Sequence, residues 1–182
     1  MPVRVSAPGR ICLFGEHQDF LGLSVIATPV DLTITITGTP RQDDQFRLCM
    51  PDLTARGESD CDQFSAGGEL PYLKTRDYIR SATNILRRAG LDISQGYDCE
   101  IHGTIPINAG TSSSSALTIA WLTFLLHTQG GDVPRSPEHI AHFGYEAEVR
   151  EFKEPGGMMD HYTSAVGGLL YIDCRQPIRV TP

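Results

Sequence analysis

A stretch near the middle of the chain is apolar on nearly every face of the helix that it predicts. It runs from Ala116 to about Leu126, directly after a loop rich in glycine and serine. A helix without a polar face must be buried on all sides by other elements. The rest of the 182-residue chain therefore has to surround it, and this length suffices for one well-buried domain or at most two small ones.

The segments around this helix carry strand and helix patterns in turn. Strands are predicted at residues 3–6 and 11–15, on either side of a Pro8-Gly9 turn, and at 32–37, 45–50, 97–101 and 168–173. Helices are predicted over 77–88, with Thr75 as N-cap and Gly90 as stop, and from Ser136, with Pro137 in the first turn. Residues 51–69 lack periodicity and are interpreted as an exposed loop. The pattern predicts an α+β domain.

Composition narrows the classes of function. A formal net charge of −7 argues against binding to nucleic acid or to an anionic membrane, since both favour concentrated Lys and Arg. The longest apolar stretch is too short and too often interrupted by Thr to span a bilayer, and the N-terminus lacks the apolar run of a signal peptide. The five cysteines are widely spaced without a CxxC pair, which is typical of reduced thiols. We expect a cytoplasmic protein.

The loop before the apolar helix favours an anion. A helix start leaves backbone N–H groups unpaired and carries the positive end of the helix dipole, so phosphate oxygens are stabilised there. Gly110 allows close approach of the backbone, and the run from Ser112 to Ser115 adds hydroxyl donors and a candidate metal ligand. An ordinary N-cap would need one serine rather than four. The loop therefore predicts phosphate binding.

Two carboxylates further along the chain are candidates for chemistry. Glu148 lies four residues after Gly144 and eight after Ile140, which places it on the inward face of the helix that starts at Ser136. A buried carboxylate needs a partner, either a metal-bound phosphate or an arginine such as Arg150, and the sequence leaves both open. Asp160 follows a Pro-Gly-Gly segment near a new helix start. It is interpreted either as a surface N-cap or as the acceptor of a hydroxyl proton.

A third polar group lies near the N-terminus. Glu16, His17 and Asp19 stand between two apolar strands and are bounded by Gly15 and Gly22. A lone histidine is more often structural, but three hydrogen-bonding residues within four positions are suited to holding vicinal hydroxyls. The chain has no GxxxxGK[ST], GxGxxG or GxSxG motif, which excludes Walker-type, dinucleotide and α/β-hydrolase sites.

Together the three segments resemble the GHMP kinase superfamily, and within it the galactokinase-like sugar kinases. Residues 9–19, G-R-I-C-L-F-G-E-H-Q-D, are similar to the motif G-R-V-N-L-I-G-E-H-T-D. Residues 106–116 are similar to the phosphate loop P-x-x-x-G-L-S-S-S-A, and residues 147–161 to the segment A-E…P-C-G-I-M-D-Q. The resemblance implies the N-terminal GHMP kinase domain, a mixed sheet packed with helices. This is a βαβ fold like that of a ribosomal protein, with a left-handed crossover that the general handedness rule would not predict.

The resemblance also implies roles. Asp160 would accept or orient the proton of the sugar hydroxyl, and Arg10 would stabilise the anion and the transferring phosphoryl group. Glu16, His17 and Asp19 would hold the sugar. Mg²⁺ would be bound by Ser114 and Glu148, with ATP as co-substrate. The residues implied at the nucleotide are Asn108, Gly110, Thr111, Ser112, Ser113, Ser114 and Ser115.

Departures from the family pattern bear on the substrate. Cys12 replaces Asn, Thr111 replaces Leu and His161 replaces Gln, so the sugar is not identified. Family members are longer and carry a second domain with another glycine-rich motif, so the resemblance implies the N-terminal half of a kinase, weakly active by itself. The surface that the second domain covers would then favour self-association. A mevalonate-type kinase, which Glu16-His17 disfavours, and a non-catalytic sensor of sugar and ATP remain as alternatives.

Overall fold

The computed structural model describes residues 1–54, 61–106 and 110–182. Its strands are β1 (Val3–Phe14), β2 (Val25–Pro40), β3 (Gln45–Cys49), β4 (Cys61–Ser65), β5 (Tyr97–Gly103), β6 (Leu170–Asp173) and β7 (Arg179–Thr181). Its α-helices are α1 (Pro51–Thr54), α2 (Tyr78–Arg88), α3 (Ser113–Thr128), α4 (Pro137–Tyr145) and α5 (Met159–Val166). A 3₁₀ turn covers Asp19–Leu21, and a π-helical turn, Glu146–Arg150, continues α4. Among these helices none is long and apolar enough to cross a bilayer.

The strands form one mixed sheet in the order β4-β3-β5-β2-β6-β7, with β1 paired to β2. The pair β3–β5 is parallel and the other pairs are antiparallel. The α+β architecture predicted from the sequence is thereby confirmed. The left-handed crossover stays a prediction.

Helix α3 lies at the centre of the fold, as its all-round apolar sequence predicts. Trp121, Phe124 and Leu125 are each fully buried. The Trp121 ring stacks on Phe124 at 5.6 Å and meets Phe46 of β3 edge-on at 5.5 Å. The indole N–H donates to Thr83 Oγ1 of α2 at 2.9 Å, so the one polar atom of this side chain is satisfied. The position of α3 fixes the loop that precedes it.

The predicted Pro8-Gly9 turn is wrong. Residues 3–14 form the single strand β1, whose pairing with β2 shifts register between Pro8 and Arg10. At this bulge the strand passes close to the loop before α3, since a Cβ on Gly9 would lie 2.7 Å from the Thr111 carbonyl oxygen. The Arg10 N–H donates to that same oxygen at 3.2 Å. The irregularity therefore joins β1 to the predicted phosphate loop.

The prediction of a loop over 51–69 is also wrong in part. The segment contains α1 and the strand β4, and residues 55–60 lie outside the described residues. Phe64 of β4 is buried and stacks on Phe46 at 5.4 Å, and this long-range contact holds a strand with little apolar pattern of its own. The predicted N-cap Thr75 is wrong too, because α2 starts after the buried Asp77, whose carboxylate accepts from the Leu73 N–H. Ser136 does cap α4 as predicted.

Candidate active site

A cavity of about 320 Å³ opens between the end of β1, the start of α3 and the start of α5. It brings together side chains that are up to 150 residues apart in the sequence. The predicted site residues that line it are Arg10, Glu16, His17, Asp19, Ser114, Ser115, Glu148 and Asp160. The three segments singled out in the sequence therefore meet at one site.

Arg10 contacts several of the other groups at this cavity. Its side chain is 8% exposed, its Nε donates to Asp160 Oδ1 at 2.7 Å, and its Nη1 donates to the Gly110 carbonyl at 2.8 Å. Glu16 Oε1 lies 3.7 Å from Nη2. Burial alone would lower the pKa of Arg10, but the attraction and hydrogen bond of Asp160 outweigh it and the pKa is raised. A buried, permanently charged guanidinium thus bridges the loop and the carboxylate.

Asp160 lies in the first turn of α5 and has both carboxylate oxygens engaged. Oδ1 accepts from Arg10, and Oδ2 accepts from Ser112 Oγ at 2.6 Å. The side chain is 27% exposed at the cavity. Asp160 is therefore not a surface N-cap. It is held in a fixed orientation from two sides and can still be approached by a ligand.

Glu148 points inward, as predicted, and its protein partner is a histidine rather than Arg150. The alternative of a metal-bound phosphate stays a prediction. Glu148 is 8% exposed, and its Oε2 lies 2.9 Å from Nε2 of the buried His161. Arg150 instead pairs with Glu146 at 3.6 Å. The π-helical turn carries Glu148, and such turns are frequent at functional sites because they change where a side chain points.

The residues predicted to hold a sugar all line the cavity. Asp19 Oδ2 accepts from the Met159 N–H at 3.0 Å, which ties the turn after β1 to the start of α5. Glu16 and His17 are exposed, and His17 has a φ of 59°, a conformation that is uncommon for a residue with a side chain. Asp19 thus already has a structural contact, whereas Glu16 and His17 are accessible.

Only part of the predicted phosphate loop faces the cavity. Ser114 and Ser115 line it, while Gly110 and Ser112 reach it through their bonds to Arg10 and Asp160. Ser113 is the first residue of α3, and the Thr111 hydroxyl is buried without a hydrogen-bond partner within the described part of the chain. Asn108 lies outside the described residues.

Sequence reasoning missed Arg76, Tyr78 and His161 as lining residues. Arg76 and Tyr78 also line a second cavity of about 410 Å³, which includes Leu73 and Leu117. Burial, with the Glu148 charge, raises the pKa of Tyr78 to about 12, so the phenol stays protonated. Neither residue belongs to a motif, and Tyr78 lies at the start of α2. The departure of His161 from the family pattern was the one available signal.

Comparison with known families agrees with this geometry. The model for the GHMP kinases N-terminal domain matches residues 77–168, which is half of the chain and includes α3, Glu148 and Asp160. The chain belongs to the GHMP kinase family. The galactokinase galactose-binding signature matches residues 1–40 of the chain, the part that contains Arg10, Glu16, His17 and Asp19.

Curated relatives of the GHMP kinase domain include galactokinases. That of Haemophilus influenzae strain PittGG is 34% identical over 185 residues, covering 99% of this chain and 46% of the relative. That of Actinobacillus succinogenes is 33% identical, covering 95% and 45%. The chain thus spans about half the length of these relatives.

Solved structures share the fold. The crystal structure of Lactococcus lactis galactokinase complexed with galactose matches with a TM-score of 0.81 at 24% identity, covering 100% of this chain and 47% of that one. Methanococcus jannaschii mevalonate kinase matches with a TM-score of 0.79 at 23% identity, covering 98% and 55%. The predicted fold family is confirmed.

The chemistry of the donors in this GHMP kinase domain fits Mg²⁺. Ser114 and Glu148 supply a hydroxyl and a carboxylate to the same cavity, and Mg²⁺ prefers such oxygen ligands. Within the described residues no group of three or more His, Cys, Asp or Glu side chains could hold a metal. Phosphate oxygens and water would therefore have to complete the coordination, which is the usual arrangement for Mg²⁺ bound with a nucleotide.

Proposed function

We propose that the chain is the N-terminal, ATP- and substrate-binding domain of a galactokinase-type sugar kinase, which transfers the γ-phosphate of ATP to a sugar hydroxyl, the anomeric one. The observation that carries the proposal is the anchored carboxylate of Asp160. Arg10 holds it on one side and Ser112 of the phosphate loop on the other, in a cavity that Ser114 and Glu148 also line. Phosphoryl transfer needs this kind of alignment and charge stabilisation, with little covalent chemistry.

The sugar would lie against Glu16, His17 and Asp19. Glu16 and His17 are exposed and offer an acceptor and a donor for hydroxyl groups, and Asp19 keeps free lone pairs beside its bond to Met159. The match of residues 1–40 to a galactose-binding signature supports this assignment. Asp160 would then accept the hydroxyl proton, and Arg10 would stabilise the negative charge that develops.

The triphosphate would lie along the loop from Asn108 to Ser115, at the start of α3. The unpaired N–H groups and dipole of a helix start favour phosphate there. Ser114 and Glu148 would hold Mg²⁺, which when bound neutralises phosphate charge. The second cavity, which shares Arg76 and Tyr78 with the first and contains Leu73 and Leu117, has the apolar surface and nearby position that a base would need.

An ADP-release assay with galactose, arabinose, glucuronate and mevalonate tests the proposal. We expect slow turnover with a sugar, because the relatives are about twice as long and a second domain would complete the site. Asp160→Asn should abolish turnover and leave nucleotide affinity largely intact, whereas Asp132→Asn, at an exposed position outside the cavity, should match the unmodified chain.

The outcomes separate the alternatives. Phosphorylation of mevalonate alone would favour a mevalonate-type kinase, and binding of sugar and ATP without ADP release would favour a sensor. Full turnover by Asp160→Asn would remove that residue from its role. The proposal includes a cytoplasmic location, where ATP is available.

A further inference from the structure

His161 occupies a buried position directly after Asp160. The residue is 2% exposed, and its ring lies against Gly144 of α4 and, edge-on at 6.2 Å, against Tyr145. A Cβ at Gly144 would come within 2.9 Å of His161 Cδ2. The fold therefore leaves a fitted space for an imidazole at this position, where the family pattern has Gln.

The polar contact of this ring is with Glu148. Nε2 lies 2.9 Å from Glu148 Oε2, and an ionised carboxylate can only accept, so Nε2 carries the hydrogen. The other ring nitrogen, Nδ1, is buried without a hydrogen-bond partner in the described part of the chain. The N–H at Nε2 therefore has a buried acceptor in Glu148.

This contact restricts the orientation of the Glu148 carboxylate. Glu148 lies within the π-helical turn, and its side chain is 11% exposed at the cavity. With Oε2 bonded to His161, the second oxygen, Oε1, is available to the cavity that Glu148 lines. Without the imidazole the carboxylate could rotate about its terminal torsion, which is broad in energy.

We propose that His161 is a positioning residue, which holds the Glu148 carboxylate in the orientation that presents an oxygen to the Mg²⁺ of a bound nucleotide. The proposal rests on the function proposed above, since it takes Glu148 as a metal ligand. Groups that hydrogen-bond a metal ligand orient it, and their loss typically costs about 10- to 100-fold in metal affinity.

Metal binding in the full chain tests this role. Mn²⁺ is titrated by electron paramagnetic resonance in the presence of a non-hydrolysable ATP analogue, and affinity for the analogue alone is measured in EDTA. We expect His161→Leu, which removes the donor, to weaken Mn²⁺ binding by about 10- to 100-fold. His161→Gln, which can still donate to Glu148, should stay within a few-fold of the unmodified chain, and metal-free affinity for the analogue should be equal in all three.

The possible failures are distinguishable. Equal Mn²⁺ affinity in His161→Leu and the unmodified chain would overturn the positioning role but not the proposed function. The positioning role would also be overturned if His161→Leu lost as much affinity for the metal-free analogue as for Mn²⁺, because this indicates general damage to the site. An unmodified chain that binds no analogue would remove the proposed function and this role with it. Should His161→Leu not fold, His161→Asn gives the same comparison, because its shorter amide cannot reach Glu148.

Discussion

Gly157→Ala is expected to destabilise the protein by displacing Asp19. A Cβ on Gly157 would lie 1.9 Å from Asp19 Oδ2 and 2.0 Å from its Cγ, far inside van der Waals contact. The backbone of Gly157 is outside the positive-φ region, so alanine itself can adopt it. The whole cost therefore arises from the carboxylate that has to move.

The magnitude follows from what Asp19 loses. Its Oδ2 accepts from the N–H of Met159, the first residue of α5. A hydrogen bond to a charged group contributes about 1.5–3 kcal/mol, and a carboxylate at a helix N-terminus adds about 0.3–1 kcal/mol. Replacing glycine by alanine returns about 0.4–1 kcal/mol by restricting the unfolded chain. The net loss is about 1–4 kcal/mol, which lowers Tm by about 2–16 °C in a domain of this size.

A double-mutant cycle with thermal unfolding followed by circular dichroism measures this effect. In the Asp19→Ala background the clash is gone, so Gly157→Ala should change from destabilising to neutral or slightly stabilising. Gly130→Ala is the control, because its Cβ would meet nothing within 4 Å. If Gly157→Ala costs the same with and without the Asp19 carboxylate, the reasoning is refuted.

Three further predictions concern acid stability, the thiols and the apolar surface. Arg41 and Arg175 lower the pKa of Asp43 and Asp173 to about 2 by hydrogen bonding to the carboxylates. The stability that these pairs contribute is therefore present above the ordinary pKa of 3.8 and is lost as the pH falls through about 2. Tm should decline over this pH range, and the decline should be smaller in Asp43→Asn. Cys49 and Cys61 face each other across β3 and β4 with their sulfurs 2.7 Å apart, so glutathione disulfide should oxidise the pair to one disulfide with release of two glutathione thiols. A thiol titration of the protein after removal of glutathione should then find two fewer protein thiols, and Cys49→Ser is the control. Phe14, Phe20 and Leu21 are 70%, 55% and 63% exposed, so the chain should self-associate with rising concentration, and light scattering that finds only monomer would contradict this.

Elements with a strong local pattern could be predicted from the sequence. Helix α3 is apolar throughout, and in β5 the alternation of Tyr97, Cys99 and Ile101 with polar residues matches the observed alternation of buried and exposed positions. The strand β4 has no such pattern, because its stability comes from the packing of Phe64 on residues far away in the sequence. The bulge in β1 is similarly set by the approach of another segment, since Pro8-Gly9 is equally suited to a turn.

In the candidate site, too, features with a local sequence signature could be predicted and features set by tertiary packing could not. The three motifs indicated that their segments meet at one cavity, because each segment has its own local signature. It did not indicate that Asp19 caps α5 or that Glu148 is paired with His161, since these contacts are properties of the tertiary packing.

Three further hydrogen bonds that the sequence did not indicate connect the loop before α3 with the Asp160 carboxylate. Arg10 joins the Gly110 carbonyl to Asp160, and Ser112 of the same loop bonds the other oxygen of that carboxylate. A shift of the loop on binding phosphate must therefore stretch these bonds or carry Asp160 with it. Because charge-assisted bonds are costly to break even where they are only partly buried, the second response is favoured. The loop and the carboxylate are thus linked by hydrogen bonds, and under the proposed function the position of a bound phosphate would set that of Asp160.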